Sequence, residues 1–285
     1  MLTRACVLAL VAFAFAGDAA ASELIGRDGG RAALHVNAAG QAHVSWSEDG
    51  ATRHLVAANA INARPPSTGV PQVSFRLRYG PGSIRGGGCG RYDGPPLAWL
   101  AVACKAPDGS YWALQRWQRL KPNYGGQRGN WELRLSHWSG PLPVLRLWTD
   151  WAYRRFDHLY GQYSYQGRAV HGFSATAQGS PRDDYGRNLY VDTLDSRYGS
   201  GWRRENSFLA QRPNGAFCYG FYPHGSRPPG KGTHYRATVI GPGVTPDVMW
   251  EGDAPGPFSV HRERQANAHQ RQLFADRDGN GCTPL

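Results

Sequence analysis

Thirty-seven glycines and 20 prolines, one residue in five of a 285-residue chain, limit its fold more than any other feature. Both residues break helix interiors and populate turns. They cluster about every 8–15 residues, with short runs rich in β-branched and aromatic residues between them. That rhythm excludes a helical bundle. Ala33–Val36, His43–Trp46 and His54–Ala58 read as an opening meander, with turns at Asn37–Gly40 and Glu48–Gly50. Val73–Tyr79 alternates apolar with polar residues, the period of a half-buried strand. Further strands are expected at Leu97–Ala103, Tyr111–Leu120, Trp131–Leu135, Val144–Tyr153, His158–Tyr165, Asn188–Thr193, Phe217–Tyr222 and Thr233–Ile240. Arg262–Phe274, free of Gly and Pro, is the one expected helix. With no βαβ rhythm, the expected fold is all-β, a sandwich or jelly roll with a short C-terminal helix. Arg64–Pro71 (RPPSTGVP) would separate an N-terminal β meander, 22–63, from a main domain, 64–285.

Residues 1–21 carry Arg4, an apolar run Val7–Ala16 and the small residues Ala19-Ala20-Ala21. This is the pattern of a secretory signal peptide cut after Ala21, so the mature chain is expected outside the cell with no membrane segment. Cys6 leaves with it. Cys89, Cys104, Cys218 and Cys282 then form two disulfides, for which three connectivities are open. A short local loop favours Cys89–Cys104, leaving Cys218–Cys282 to tie down the tail. No C-x2-C pair supports zinc. Asp276-x-Asp278-x-Asn280-Gly281 opens like a calcium loop, but the acid at the twelfth position is lacking. No metal or cofactor is expected.

Removal of residues 1–21 takes one acid and one base, so the net charge of +11 is unchanged. Among the 32 basic residues only Lys105, Lys121 and Lys231 are lysines. A GC-rich coding sequence explains such an arginine bias; an anionic polymer as partner is the functional alternative. The arginines form no run or stripe, and no nucleic-acid partner is expected.

Acids, arginines and aromatics concentrate in Ser180–Phe208. Carboxylates among aromatic rings are what a glycan-cleaving cleft needs, an acid and a base facing one bond while rings stack on the sugar. Asp184, Asp192 and Glu205 are the candidate acids, and Arg187, Asn188, Tyr190 and Trp202 the candidate substrate contacts. Those acids could equally pair with neighbouring arginines in turns. Tyr222 and His224, at the end of Phe217–Tyr222, are candidate proton carriers for polysaccharide elimination, in which Tyr or His takes a proton and Arg or Asn neutralises the uronate. Trp148 and Trp151 are a candidate stacking platform, or core. No nucleophile elbow, H-E-x-x-H, Walker A or dinucleotide fingerprint is present.

The segments YGRNLYVDT, GWRRENSF, FCYGFYPHG and VIGPGVTPDVMW follow one another between residues 185 and 250. With PLAWLAVACKAPDGSYWALQ (96–115) and LSHWSGPLP (135–143), the chain resembles uncharacterised exported proteins of GC-rich soil bacteria, a likeness covering most of the mature chain. It implies export and transfers no catalytic residue. The expectation is a secreted polysaccharide hydrolase or lyase. The alternatives are a non-catalytic binder of polysaccharide or cell wall and an exported protein-interaction module.

Overall fold

The computed structural model describes residues 22–120, 131–172, 174–175, 181–205, 210–223, 228–241, 243–275 and 282. Residues 1–21, His224, Asp276, Asp278 and Asn280 lie outside the described residues. The chain runs through β1 (Glu23–Arg27), β2 (Ala32–Val36), β3 (Ala42–Glu48), β4 (Ala51–Ala58), β5 (Arg76–Tyr79), β6 (Gly90–Arg91), β7 (Leu100–Lys105), β8 (Tyr111–Gln118) and β9 (Trp131–Trp138). It continues through β10 (Val144–Ala152), β11 (Phe156–Tyr165), β12 (Arg168–Ala169), β13 (Ser174–Ala175), β14 (Pro181–Arg182) and β15 (Asn188–Ser196). Last come β16 (Gly199–Arg204), β17 (Ala210–Gln211), β18 (Ala216–Gly220), β19 (His234–Ile240), β20 (Val248–Asp253) and the helix α1 (Val260–Leu273).

These strands make four antiparallel sheets, and the fold is all-β as the turn rhythm predicts. The first two are β2-β3-β4-β5 and β1-β9-β8-β7-β6. The others are β10-β11-β18-β17, with β12 on β11, and β13-β14-β15-β19-β20, with β16 on β15. Period-two alternation decides which faces meet. On β3, Ala42, Val44 and Trp46 are buried while His43 and Ser45 are half-buried. The meander's inward residues Val36, Val44, Trp46 and Leu55 pack with Trp112, Leu114, Leu133 and Leu135 of β8 and β9. A second core joins the other two sheets through Leu147, Leu159, Tyr163, Leu189, Phe217, Tyr235 and Val239. Cys89 pairs with Cys104 and Cys218 with Cys282, at Cα separations of 5.5 and 5.9 Å. Helix α1 starts at the Ser259 cap and lays Ala266 and Phe274 on Tyr160 and Cys218. No helix among the described residues is long and apolar enough to cross a membrane.

A polar seam joins the two cores. The Gln115 side chain donates to Asp247 O and accepts from Asp247 N, both at 2.9 Å, and is itself fully buried. Trp117 of β8 stacks on Tyr190 of β15, ring centroids 5.4 Å apart.

Candidate functional site

The acids named from sequence separate once their neighbours are known. Asp192 is fully buried between two guanidinium groups. One oxygen accepts from Arg204 Nε, and the other from Arg236 Nη2 at 2.8 Å and Arg236 Nε at 3.1 Å. The arginines are stacked in turn, Arg204 on Tyr190 at 3.8 Å and Arg236 on Trp202 at 4.2 Å. Asp192, Tyr190 and Trp202 do come together, but around a buried Arg–Asp–Arg ion cluster, with Trp202 half-buried at its edge. Glu205 is 3% exposed, accepts from Thr193 Oγ1 at 2.8 Å and lies 3.4 Å from the Tyr219 hydroxyl. Burial pushes its carboxyl up to about 7. The chain closes over it at Gly230, where a Cβ would stand 1.7 Å from Glu205 Oε1.

Tyr222 is committed elsewhere. Its hydroxyl donates to Cys282 O and lies 2.6 Å from His158 Nε2. His158 is fully buried, and burial pushes its imidazole down to about 3. With the Gln270 amide nitrogen 3.0 Å from Nδ1, the neutral ring carries its proton on Nε2 and donates to Tyr222. Gln270, His158, Tyr222 and the tail carbonyl thus form one chain of hydrogen bonds that fastens α1 and Cys282 to the sheet. Arg187 is 1% exposed; its Nε donates to Asp183 Oδ2 at 2.9 Å, and the rings of Tyr163, Tyr165 and Tyr185 surround its guanidinium. Asn188 donates to Gly241 O at 3.2 Å. Trp151 donates to Gly256 O at 2.7 Å with Lys231 over its ring. Trp148 remains 42% exposed, edge-on to His269.

Asp184 alone among the candidate acids opens into a cleft, of about 470 Å³, which it shares with Tyr185. The walls are Pro65–Thr68, Arg168, Ala169, His171, Asp184 and Tyr185. Each wall has a local cause. Gln166 and Gly167 both take positive φ, 51° and 73°, which turns β11 tightly back into β12 and places Arg168 opposite Tyr165. Val170, fully buried, anchors the chain one residue before His171. The Asp183 carboxylate accepts from Arg187 N at 2.8 Å as well as from Arg187 Nε, and Gly186 N donates to Asp183 O at 2.9 Å. That clamped turn presents the next residue, Asp184, to the cleft. The proline-rich rim is clasped by Gln72, which donates to Arg64 O at 2.8 Å and accepts from Arg64 N at 3.0 Å.

Inside the cleft His171 Nδ1 stands 3.8 Å from Asp184 Oδ2, in ion-pair rather than hydrogen-bond range. Asp184 N donates to His171 O at 2.9 Å, so backbone geometry holds the two residues side by side. Asp184 Oδ1 is buried without a hydrogen-bond partner among the described residues. Burial, and then the neighbouring Asp183, raise the Asp184 carboxyl, against the pull of His171 and Arg187. Burial also raises the Tyr185 phenol, which therefore stays protonated at neutral pH. His171 and Arg168 are the site residues missed from sequence. Their only signal is the tight Gln166-Gly167 turn, which sets both beside Asp184.

A second opening, about 410 Å³, lies by Trp46, Glu48, His54 and Tyr79. Its one acid is engaged, Glu48 accepting from Arg27 N at 2.8 Å and Trp46 Nε1 at 3.1 Å. Among the described residues no group of three or more His, Cys, Asp or Glu is placed to hold a metal ion. Comparison with protein-family models, curated proteins and solved structures finds no match to this chain.

Proposed function

We propose that this is a secreted protein that cleaves an acidic polysaccharide by β-elimination in the His171–Asp184 cleft. The observation that carries the reading is a histidine–carboxylate pair in an open cleft beside Arg168. Arg168 would neutralise the uronate carboxylate, which acidifies the hydrogen on the adjoining carbon. His171 Nε2 takes that proton, the electron pair of the C–H bond becomes a C=C bond, and the bond to the glycosidic oxygen breaks. The leaving oxygen takes a proton from the Tyr185 phenol or from water. Asp184 holds the imidazole and balances its charge. Two disulfide pairs are compatible with an extracellular setting.

The test is incubation with uronate-containing and neutral polysaccharides, following ultraviolet absorbance of the unsaturated product and release of reducing ends. Absorbance should rise on uronate polymers only, and His171→Ala should lower the rate by about 10²–10⁴-fold. Reducing ends without absorbance would mean hydrolysis instead. Exposed Trp131, Trp148 and Tyr79, at 43%, 42% and 57%, favour a second reading as a non-catalytic glycan binder. Retention on insoluble glycan with no turnover on any polymer would establish it.

A further inference from the structure

The seam between the two cores holds a charge cluster that the cleft does not use. Glu132 and Asp247 are 3% and 0% exposed, and Arg134 is 6% exposed. Arg134 Nε stands 3.4 Å from Glu132 Oε2 and 3.8 Å from Asp247 Oδ2. Glu23, half-buried on β1, also faces Arg134. Arg119 reaches Glu132 only from the surface, at 3.7 Å. Among the described residues the interior therefore holds one guanidinium for two buried carboxylates, with a third acid at its edge. A buried carboxylate without a counter-charge is costly. Asp247 Oδ2 indeed has no hydrogen-bond partner among the described residues.

Ser22 is fully buried within this cluster. Its hydroxyl donates to Asp247 Oδ1, and its carbonyl accepts from Arg134 Nη1 at 3.1 Å. Its backbone lies so close to Gly241 that a Cβ there would stand 2.8 Å from Ser22 N. Ser22 is also the residue that follows Ala19-Ala20-Ala21.

We propose that Asp247 is the binding site for the chain's own α-ammonium group, created at Ser22 when the leader is cut off. Hydrolysis of the Ala21–Ser22 peptide bond by a leader peptidase adds the hydroxyl of water to the Ala21 carbonyl carbon. As the C–N bond breaks, the Ser22 nitrogen keeps its hydrogen, takes the other hydrogen of water, and becomes an ammonium with the proton released by the new Ala21 carboxyl. The new charge supplies the cation that the seam lacks, so maturation closes the contact between the two halves. This inference rests on the exported reading but not on the reaction proposed for the cleft.

The test compares the mature chain starting at Ser22 with the same chain carrying one alanine before Ser22. The Ser22 form should melt about 5 °C higher at pH 7. The gap should shrink to nothing in Asp247→Asn and narrow as pH rises above the raised α-amino pKa, since a cation's contribution is lost on deprotonation. Equal melting temperatures, or a gap that survives both Asp247→Asn and high pH, overturn the proposal. Should Asp247→Asn not fold, the α-amine of the unaltered protein is titrated by reductive methylation and NMR. A pKa above the ordinary value of about 8 supports the site, and an ordinary value overturns it. Intact mass of the protein separates the two layers: a retained leader defeats both, whereas a cut at another bond, or a cut at Ser22 with equal melting temperatures, defeats only the ammonium site.

Discussion

Two acids with similar sequence surroundings, Asp192 and Glu205, do opposite things with their charge. Asp192 is saturated by Arg204 and Arg236, so its loss leaves two buried cations facing each other. Asp192→Ala should cost about 3–5 kcal/mol, seen as a large drop in thermal or urea midpoint. A soluble, equally stable variant would show that the arginines do not depend on it. Glu205 is buried with hydroxyl partners and, among the described residues, no cation. Its folded pKa of about 7 lies above the ordinary value of 4.5, so its contribution is fully present below about pH 4.5 and is lost as pH rises toward 7. Glu205→Gln keeps the size without the charge. The variant should match the parent near pH 4 and exceed it at pH 8, by up to about 3 kcal/mol. Parallel pH–stability curves for the two proteins would refute this account. Asp184 looks the same as these two in sequence, yet it is the one that reaches a cleft. Its partner His171 stands 13 positions earlier, with nothing in the intervening residues to announce the meeting.

Most elements were legible because they depend on short-range pattern. Alternation on β3, β5 and β9, the Pro107-Asp108-Gly109 turn and the helix all follow from local residue order. Strands β1, β6, β12, β13, β14, β16, β17 and β20 are absent from the sequence reading. β16 and β20 carry glycines and charges, Gly199-Ser200-Gly201 and Glu251-Gly252-Asp253, which read as loop. Their pairing with β15 and β19 supplies the hydrogen bonds that composition does not predict. One glycine inside a strand has a packing reason. Gly161 of β11 has φ 156°, and a Cβ there would stand 2.0 Å from Arg146 O of the paired β10. Gly161→Ala should break the β10–β11 ladder and cost at least about 2 kcal/mol. Unchanged stability in urea would mean that the backbones can part at no cost.

At the scale of the whole molecule, two cores share a seam in which one side chain bridges the backbone. Gln115 satisfies both backbone groups of Asp247 and also donates to Ala98 O at 2.8 Å. Gln115→Ala leaves buried donors and acceptors empty, each worth about 1–3 kcal/mol. Calorimetry should show one transition in the parent and a broadened or split transition in the variant, as the halves uncouple. A single sharp transition in both would place the coupling elsewhere, with the Trp117–Tyr190 stack as the alternative.

The sequence alone determined the class of the fold, because turn residues and period-two alternation act over a few positions. It favoured Cys89–Cys104 on loop length among three open connectivities, and the tertiary structure decided the pairing. It named Asp184 without being able to tell it from Asp192 or Glu205. That choice belonged to the tertiary structure, since a carboxylate's role depends on whether water or guanidinium surrounds it. Arg236 reaches Asp192 from 44 positions away, and Gln270 reaches His158 from 112. Long-range packing buried two of the three acids and left the third beside a histidine in the open.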